Sequence, residues 1–411
     1  MPTVCLVSPG HLGSNPRIIK EADALVAAGY HVHLVYAQTN RADLERDTSL
    51  LARAEWQALP VPCFAGTTTY RLQRVRQLVA QCLFRVAPWS LPLAIAAQHP
   101  ASFLLRRAAS SVHADLYIAH YVAALPAAAS AARRHRGSFA FDAEDFHLGD
   151  WPAIPQHSWS RRQVRVIESA LLPRCAYVSA ASAGIAEAYQ RSYGVPAPLV
   201  LRNVFPRTNA PTQSSRQGSV TPGPSLYWYS QTIGPNRGLE CAIEALALCA
   251  SRPHLYLRGS ITPVYKEVLF AHAARHGVRS FLHLLPPDLP DEMERLAAMH
   301  DLGLVAETGL TQNRQIALTN KLFSYVLAGI PAVLSDIPAH QAIQAELGSV
   351  VKLFRTGDPA SLAAAVDAYL LASPSERATV RAAAFRIGQQ SLNWDCEKAV
   401  LLDRVISLLS A

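Results

Sequence analysis

The 411-residue sequence predicts an α/β protein built from two doubly wound, parallel-sheet domains in tandem. Short apolar runs alternate with longer stretches of helical periodicity, the pattern of strand, crossover helix and strand. Glycines and prolines punctuate the ends of those runs, as in SPGHLGSN at 8–15 and SQTIGPNRG at 230–238. A stretch without periodicity, rich in Pro, Gly, Ser and Thr, separates two such series at 207–225 and reads as a linker. Two domains of roughly 150 to 200 residues also suit the length, since single cores stop growing below about 300 residues.

The elements follow in order. The apolar run at 4–7 is a buried strand, the glycine-bearing turn opens a helix at 16–28, and Gly29 releases the chain into a strand at 31–36. Strand 116–119, helix 125–134, strand 138–142, helix 161–172 and strand 176–180 continue the alternation, and Asn203 closes this half. Between 70 and 107 the composition shifts to Leu, Ala and Arg, with Pro88 and Pro92 as breaks. A pair of helices is expected there, either packed with solvated arginines or forming a basic flap that faces a membrane or the acceptor. Beyond the linker, strands at 226–229, 255–258, 282–284, 302–305 and 332–334 alternate with helices at 239–250, 264–276, 292–298, 321–328 and 360–371, and an amphipathic helix at 394–409 ends the chain. The expected domains are 1–206, a linker at 207–225, 226–389, and a C-terminal helix at 390–411 that packs back on the first domain.

Half the residues are hydrophobic and 17% are charged, the balance of a globular chain. Lys and Arg outnumber Asp and Glu by 38 to 30, a net charge of +8 that suits an anionic ligand or an anionic membrane surface. No nucleic-acid-binding pattern accompanies it, so no nucleic acid partner is expected. Seven cysteines are scattered and never in CxxC spacing, which suggests neither a disulfide framework nor a zinc site and fits a reducing cytoplasm. The N-terminus reads directly as a strand and lacks a signal-peptide pattern, and no apolar run approaches the roughly 20 residues of a membrane span.

Ligands of doubly wound domains bind beyond the carboxyl ends of the strands, so the loops after strands carry the candidates. The first, Ser8 to Ser14, has glycines that let backbone amides approach an anion, followed by a helix N-terminus. Its spacing is not GxGxxG and no acid closes the second strand, which disfavours a dinucleotide. The loop at 230–238 places Arg237 beside a glycine just before a helix, where a guanidinium can hold a phosphate bidentately. Lys321 stands in the first turn of its helix, unfavourable against the helix dipole unless something negative lies between them. Two readings remain at this point: Arg237 and Lys321 share one diphosphate, or they are unrelated surface cations. In FDAEDFHLGD at 141–150, Asp142, Glu144, Asp145 and His147 crowd one strand-end loop.

TNKLFSYVLAGIPAVLSD at 319–336, IGPNRGLE at 233–240, the opening stretch at 8–35 and AHYVAALPAAA at 119–129 together resemble retaining glycosyltransferases of family 4. The resemblance implies a GT-B fold, two Rossmann-like domains facing a central cleft, with the nucleotide sugar on the C-terminal domain and the acceptor on the N-terminal one. It implies catalytic places for His120, which could hydrogen-bond the transferred sugar or handle a proton, and for Gly13. It puts Arg237, Lys321, Asn320, Thr319 and Gly234 around the donor diphosphate, and His11, Arg17, Asp142, Glu144 and Asp145 on the acceptor side. Neither a metal nor a cofactor beyond the co-substrate is expected.

One departure from the family pattern stands out. Two acids eight positions apart are usual, and here those positions hold Ile316 and Ser324, leaving Ser324 at the donor ribose or sugar, with Glu307 upstream and out of register. The expected function is sugar transfer with retention in glycan, polysaccharide or glycolipid biosynthesis, in the cytoplasm or peripheral to the inner face of the membrane. The missing acid leaves a noncatalytic nucleotide-sugar binder as a rival, and an epimerase of the same fold as another.

Overall fold

The computed structural model describes residues 1–152, 158–212 and 223–410. The chain divides into two compact units: Met1–Arg202 with Thr311–Asn313 and Lys398–Ala411, and Asn203–Leu310 with Arg314–Glu397. Most of the expected linker lies outside the described residues.

The first unit runs β1 (Thr3–Ser8), α1 (Pro16–Ala27), β2 (His31–Gln38), α2 (Leu44–Leu51), β3 (Gln57–Pro62), α3 (Thr68–Val86), α4 (Leu91–Gln98), α5 (Ser102–Ala109), β4 (Leu116–His120), α6 (Leu125–His135), β5 (Ser138–Ala143), α7 (Ser158–Leu171), β6 (Val178–Ala180), α8 (Ala183–Tyr193) and β7 (Leu199–Val200). Its sheet is parallel, in the order β3-β2-β1-β4-β5-β6-β7. Val4 to Val7 are fully buried because helices cover both faces of β1, which is why that strand reads as a continuous apolar run. Asn15 caps α1 by accepting from the Ile18 amide, with Pro16 preset for the first turn.

Three helices, not two, fill 68–109. The break after Val86 precedes Pro88, and a second falls at His99, extended at φ −149° ahead of Pro100 because a residue before proline avoids the helical region.

The second unit comprises β8 (Ser225–Ile233), α9 (Leu239–Leu248), β9 (His254–Ile261), α10 (Pro263–Arg275), β10 (Leu282–Leu285), α11 (Met293–Ala298), β11 (Leu302–Val305), α12 (Gln312–Ile316), α13 (Asn320–Leu327), β12 (Ala332–Ser335), α14 (Pro338–Leu347), β13 (Val351–Phe354), α15 (Pro359–Leu370), α16 (Pro374–Gln390) and the start of α17 (Trp394–Leu409), with the first residues of α12 and most of α17, from Lys398, counted in the first unit. Its parallel order, β10-β9-β8-β11-β12-β13, changes direction between β8 and β11. That switch point is where the connections diverge and leave a crevice. Gly303 in β11 lets α13 lie flat on the sheet: a Cβ there would come 2.3 Å from the Tyr325 ring, whose hydroxyl donates to the Tyr227 carbonyl at 3.0 Å.

Candidate functional site

In the second unit the loops after β8 and β11 meet at the switch point. Gly238 caps α9 in the left-handed region at φ +70°, and a Cβ there would sit 2.4 Å from the Ala306 carbonyl oxygen. Only glycine fits. This close approach holds Arg237 near Glu307, one residue past Ala306. Asn236, also left-handed at φ +60°, offers its carbonyl to Arg314 Nη1 at 2.9 Å.

Lys321 Nζ lies 3.5 Å from Glu307 Oε1 and 5.5 Å from the centre of the Trp228 ring, all largely buried. The negative group that the sequence required near this helix start is therefore supplied within the chain by Glu307. One carboxylate does not cancel the cations around it. Burial pushes the Glu307 carboxyl up, yet Lys321, Arg314, His340 and Arg237 hold it below its ordinary value. Burial depresses Lys321, Glu307 offsets part of that, and Arg237 and Arg314 depress it further. Lys321, Arg237 and Arg314 thus act on one acid, Glu307.

A cavity of about 360 Å³ opens beside Glu307, lined among others by Pro235, Gly238, Thr308 and Ser335 and by two acids, Glu307 and Glu240, the latter accepting from the Tyr265 hydroxyl at 2.6 Å. Thr319 takes the extended N-cap conformation of α13 at φ −80°, and its buried hydroxyl has no hydrogen-bond partner. Asn320 opens the helix, and Gly234 sits in an uncrowded turn after β8. The buried His340 donates through Nδ1 to the Ser335 carbonyl, 2.7 Å away, while its Nε2 has no hydrogen-bond partner.

Ser324 is placed differently from the expectation. It is fully buried, donates to Glu294 Oε1 at 2.5 Å, and receives the Tyr229 hydroxyl at 2.6 Å. Its hydroxyl is committed to the interior, so a ribose contact through Ser324 is not what this geometry offers. The neighbouring helix α11 brings a carboxylate to the position where α13 lacks one. Burial raises the Glu294 pKa to about 7, with Ser324 and Asn209 opposing the rise.

In the first unit the candidates form two closed arrangements. Arg17 donates through Nε and Nη2 to both oxygens of Asp142 at 2.6 and 2.7 Å and through Nη1 to the Leu201 carbonyl at 2.7 Å, and Ser179 donates to Asp142 at 2.5 Å. His120 ends β4 with Nε2 3.3 Å from Glu21 and Nδ1 3.3 Å from Asp142 and 3.6 Å from Glu144. Arg17, Glu21, His120 and Asp142 are all essentially without exposure. Burial alone would lower His120, but Glu21, Glu144 and Asp142 outweigh it and raise its pKa to about 10. Burial raises Glu21; at Asp142 it is overcome by Arg17 and His120, which hold that carboxyl low. Tyr121, the residue after His120, is left-handed at φ +65°, a strained place for an aromatic side chain.

The second arrangement is a clasp across the first loop. His11 Nδ1 lies 2.6 Å from Asp47 Oδ2, its Nε2 accepts from the Thr39 and Asn40 amides at 2.8 and 2.9 Å, and the Gly13 amide donates to Asp47 Oδ1 at 3.0 Å. The hydrogen-bond pattern assigns His11 as the Nδ1–H tautomer. Asp145 accepts from the Asn313 amide group at 2.7 Å within this unit. Among the described residues, two groups bring donor atoms within 4.8 Å as a metal would require: Glu244, His272 and His276 on one surface, and Glu21, His120 and Asp142, where Arg17 already holds Asp142.

The sequence pointed to Lys321, Arg237, Glu307 and the His120 group, and the structure assembles each set within its unit. It missed Arg314, Trp228, His340 and Glu294. Arg314 had a signal, standing in a loop-and-helix segment between β11 and the TNK turn. Glu294, in the acidic run DEME, reads as a solvated face, and nothing local reveals its burial.

No family model and no curated protein matches the chain. Solved structures do. HepE of Anabaena in complex with UDP and glucose aligns with a TM-score of 0.72 at 16% identity over 99% of this chain and 100% of that one. Sucrose-phosphate synthase of Thermosynechococcus elongatus gives 0.73 at 14% over 100% of both. The lipopolysaccharide outer core galactosyltransferase WaaB gives 0.63 at 11% over 98% of this chain and 99% of that one. The chain has the GT-B fold of these glycosyltransferases.

Proposed function

We propose that this protein is a retaining glycosyltransferase of the family 4 type, moving a sugar from a nucleoside diphosphate sugar to an acceptor hydroxyl in glycan, polysaccharide or glycolipid synthesis. The observation that carries the reading is the positive excess of Lys321, Arg237 and Arg314 over Glu307, beside a cavity at the β8–β11 switch point. Buried or half-buried cations aimed at one place need an anion, and a diphosphate between them and the N-terminal ends of α9 and α13 meets that need. The same groups stabilise charge on the departing diphosphate. The bond from the anomeric carbon to the diphosphate oxygen breaks, the acceptor oxygen bonds that carbon on the same face, and the hydroxyl proton leaves to the diphosphate. No metal is needed in this reading, because the protein's own cations carry the charge.

Thermal shift across UDP-, GDP-, ADP- and TDP-sugars tests the donor, since a ligand stabilises the folded state by mass action. The absence of a shift with every donor sinks the reading. Turnover in EDTA, with the product anomer read by NMR, tests retention and metal independence; an inverted product refutes retention. Tight donor binding without hydrolysis or transfer to any acceptor would favour a noncatalytic binder.

The acceptor side is proposed to meet an anionic membrane surface. On α3, Leu72, Val75, Val79, Leu83 and Val86 recur at helical spacing and are exposed, opposite neither Gln73, Gln77, Ala80 nor Phe84 but beside that buried face, with Arg71 and Arg85 also exposed. Among the described residues no helix is long and apolar enough to cross a membrane. Contact is thus proposed as peripheral, at the cytoplasmic face.

A further inference from the structure

A second cavity lies in the first unit and belongs to none of the clusters above. It measures about 1070 Å³ and is lined by Trp89 and Leu91 where α4 begins, Leu148 in the loop after β5, and Trp159, Arg161, Arg162 and Arg165 of α7 and its first turn. Leu148 places it at the carboxyl end of the sheet, where doubly wound domains receive ligands. The sequence forms it by turning one face of α7 inward, through Val164, Ile167, Glu168 and Leu171, which leaves the arginines on the other face.

Its lining is chemically one-sided. Three guanidiniums line it and no carboxylate does, among the described residues. Arg162 Nε donates to the Pro88 carbonyl at 3.2 Å, while the buried Nε of Arg161 has no hydrogen-bond partner. An unpartnered buried guanidinium N–H costs free energy that an anionic oxygen would recover. The rest of the lining is indole and aliphatic, and Trp159 packs edge-on against Phe84 of α3 with ring centres 6.5 Å apart. Trp89 is 73% exposed and follows Val86, 79% exposed, at the end of the apolar stripe of α3. A site for a free sugar phosphate would not need that open apolar exit.

We infer that this cavity binds the acceptor, and that the acceptor is an anionic lipid: its phosphoryl group on Arg161, Arg162 and Arg165, and its hydrocarbon leaving past Trp89 along α3. The inference deepens the glycosyltransferase reading and rests on it for the word acceptor, but the binding site stands on its own geometry. A volume of about 1070 Å³ is at the upper end of small-molecule sites, room for a headgroup and the first part of a chain.

The test uses the full chain and its indole fluorescence, with monomeric dodecyl phosphate as probe. Dodecyl phosphate should bind saturably; dodecanol and inorganic phosphate should each bind at least tenfold more weakly. The double variant Arg161→Gln, Arg165→Gln should weaken dodecyl phosphate at least tenfold with an unchanged melting temperature, and Trp89→Ala should weaken it while removing part of the signal. Equal competition by inorganic phosphate overturns the lipid assignment in favour of a soluble phosphate. Binding that ignores the arginine variant, or no binding at all, overturns the site. UDP thermal shift on the same samples separates the two readings: lipid binding without any donor shift sinks the transferase and keeps this site, and the converse keeps the transferase and sinks the site.

Discussion

Two buried charge clusters, one in each unit, are built from similar side chains and behave oppositely. In the first, Arg17 and His120 face Asp142, Glu144 and Glu21, the last held toward its neutral form, and the core members have no exposure. In the second, Lys321, Arg237 and Arg314 act on Glu307, which lines a cavity together with a second acid, Glu240. Charges that balance and are sealed fasten α1, β4 and β5 together. Charges that do not balance are where the proposed diphosphate would bind.

The largest expected effect breaks the sealed cluster. Asp142→Ala strips the buried Arg17 guanidinium of its bidentate carboxylate, leaving the Leu201 carbonyl and Glu21, 3.4 Å away and held toward its neutral form; removing one partner of a buried pair costs about 3–5 kcal/mol. Urea denaturation followed by circular dichroism should show that loss. A cost below about 1 kcal/mol would mean the cluster is solvated and the contrast false.

Next comes Glu294, the sealed acid of the second unit. Its folded pKa of about 7 stands above the ordinary 4.5, so between those values the folded state holds the proton that the unfolded state has lost. Stability attributable to it is present below about pH 4.5 and is lost as pH rises through 7, by up to about 3 kcal/mol. Glu294→Gln keeps a neutral partner for Ser324 and should raise the melting temperature at pH 8 while hardly changing it at pH 5. Equal shifts at both pH values would show that Glu294 does not titrate in that window.

Lys321→Met addresses the open cluster directly. A hydrogen bond to a charged group contributes about 1.5–3 kcal/mol, so UDP affinity should fall roughly ten- to a hundredfold. Folding stability should barely change, because Arg237 and Arg314 still face Glu307. If the melting temperature collapses while affinity holds, the lysine belongs with the fastening kind.

These clusters also show what a sequence discloses. Most strands of both sheets were legible because parallel, doubly covered strands read as apolar runs between turn residues. Several elements were not. β3 contains Pro60 and Pro62 and sits at a sheet edge, where proline is tolerated and strand periodicity fades. α2, α8, α14, β13 and α16 went unassigned as well, α2 with a weak apolar face and β13 only four residues long. At the site, Lys321 and Arg237 were legible because each stands at a helix start. The partner of Lys321 was not, since whether Glu307 reaches it depends on how the β11 loop folds over α13. Ser324 was read as a ligand contact from its position in a motif, while its neighbours Glu294 and Tyr229, 30 and 95 residues away in sequence, decide that it faces inward.

The smallest effect is the most discriminating between a filled and an empty cluster. Burial, Arg237 and Arg314 depress the Lys321 pKa, and Glu307 offsets only part of this. A diphosphate arriving beside the ammonium opposes that depression and raises the pKa again. The sign follows: where the unliganded lysine is partly deprotonated, binding takes up a proton, and affinity declines as pH rises through its depressed titration. Above about pH 8 a terminal phosphate, with its second pKa near 6, is already ionised and contributes no proton change of its own. Calorimetry of UDP binding there, in two buffers of different ionisation enthalpy, should report fractional proton uptake and a few-fold loss of affinity per pH step. Lys321→Arg keeps its charge at every such pH and should bind without uptake. Equal uptake in both proteins would move the titrating group elsewhere and leave Lys321 a structural cation like Arg17.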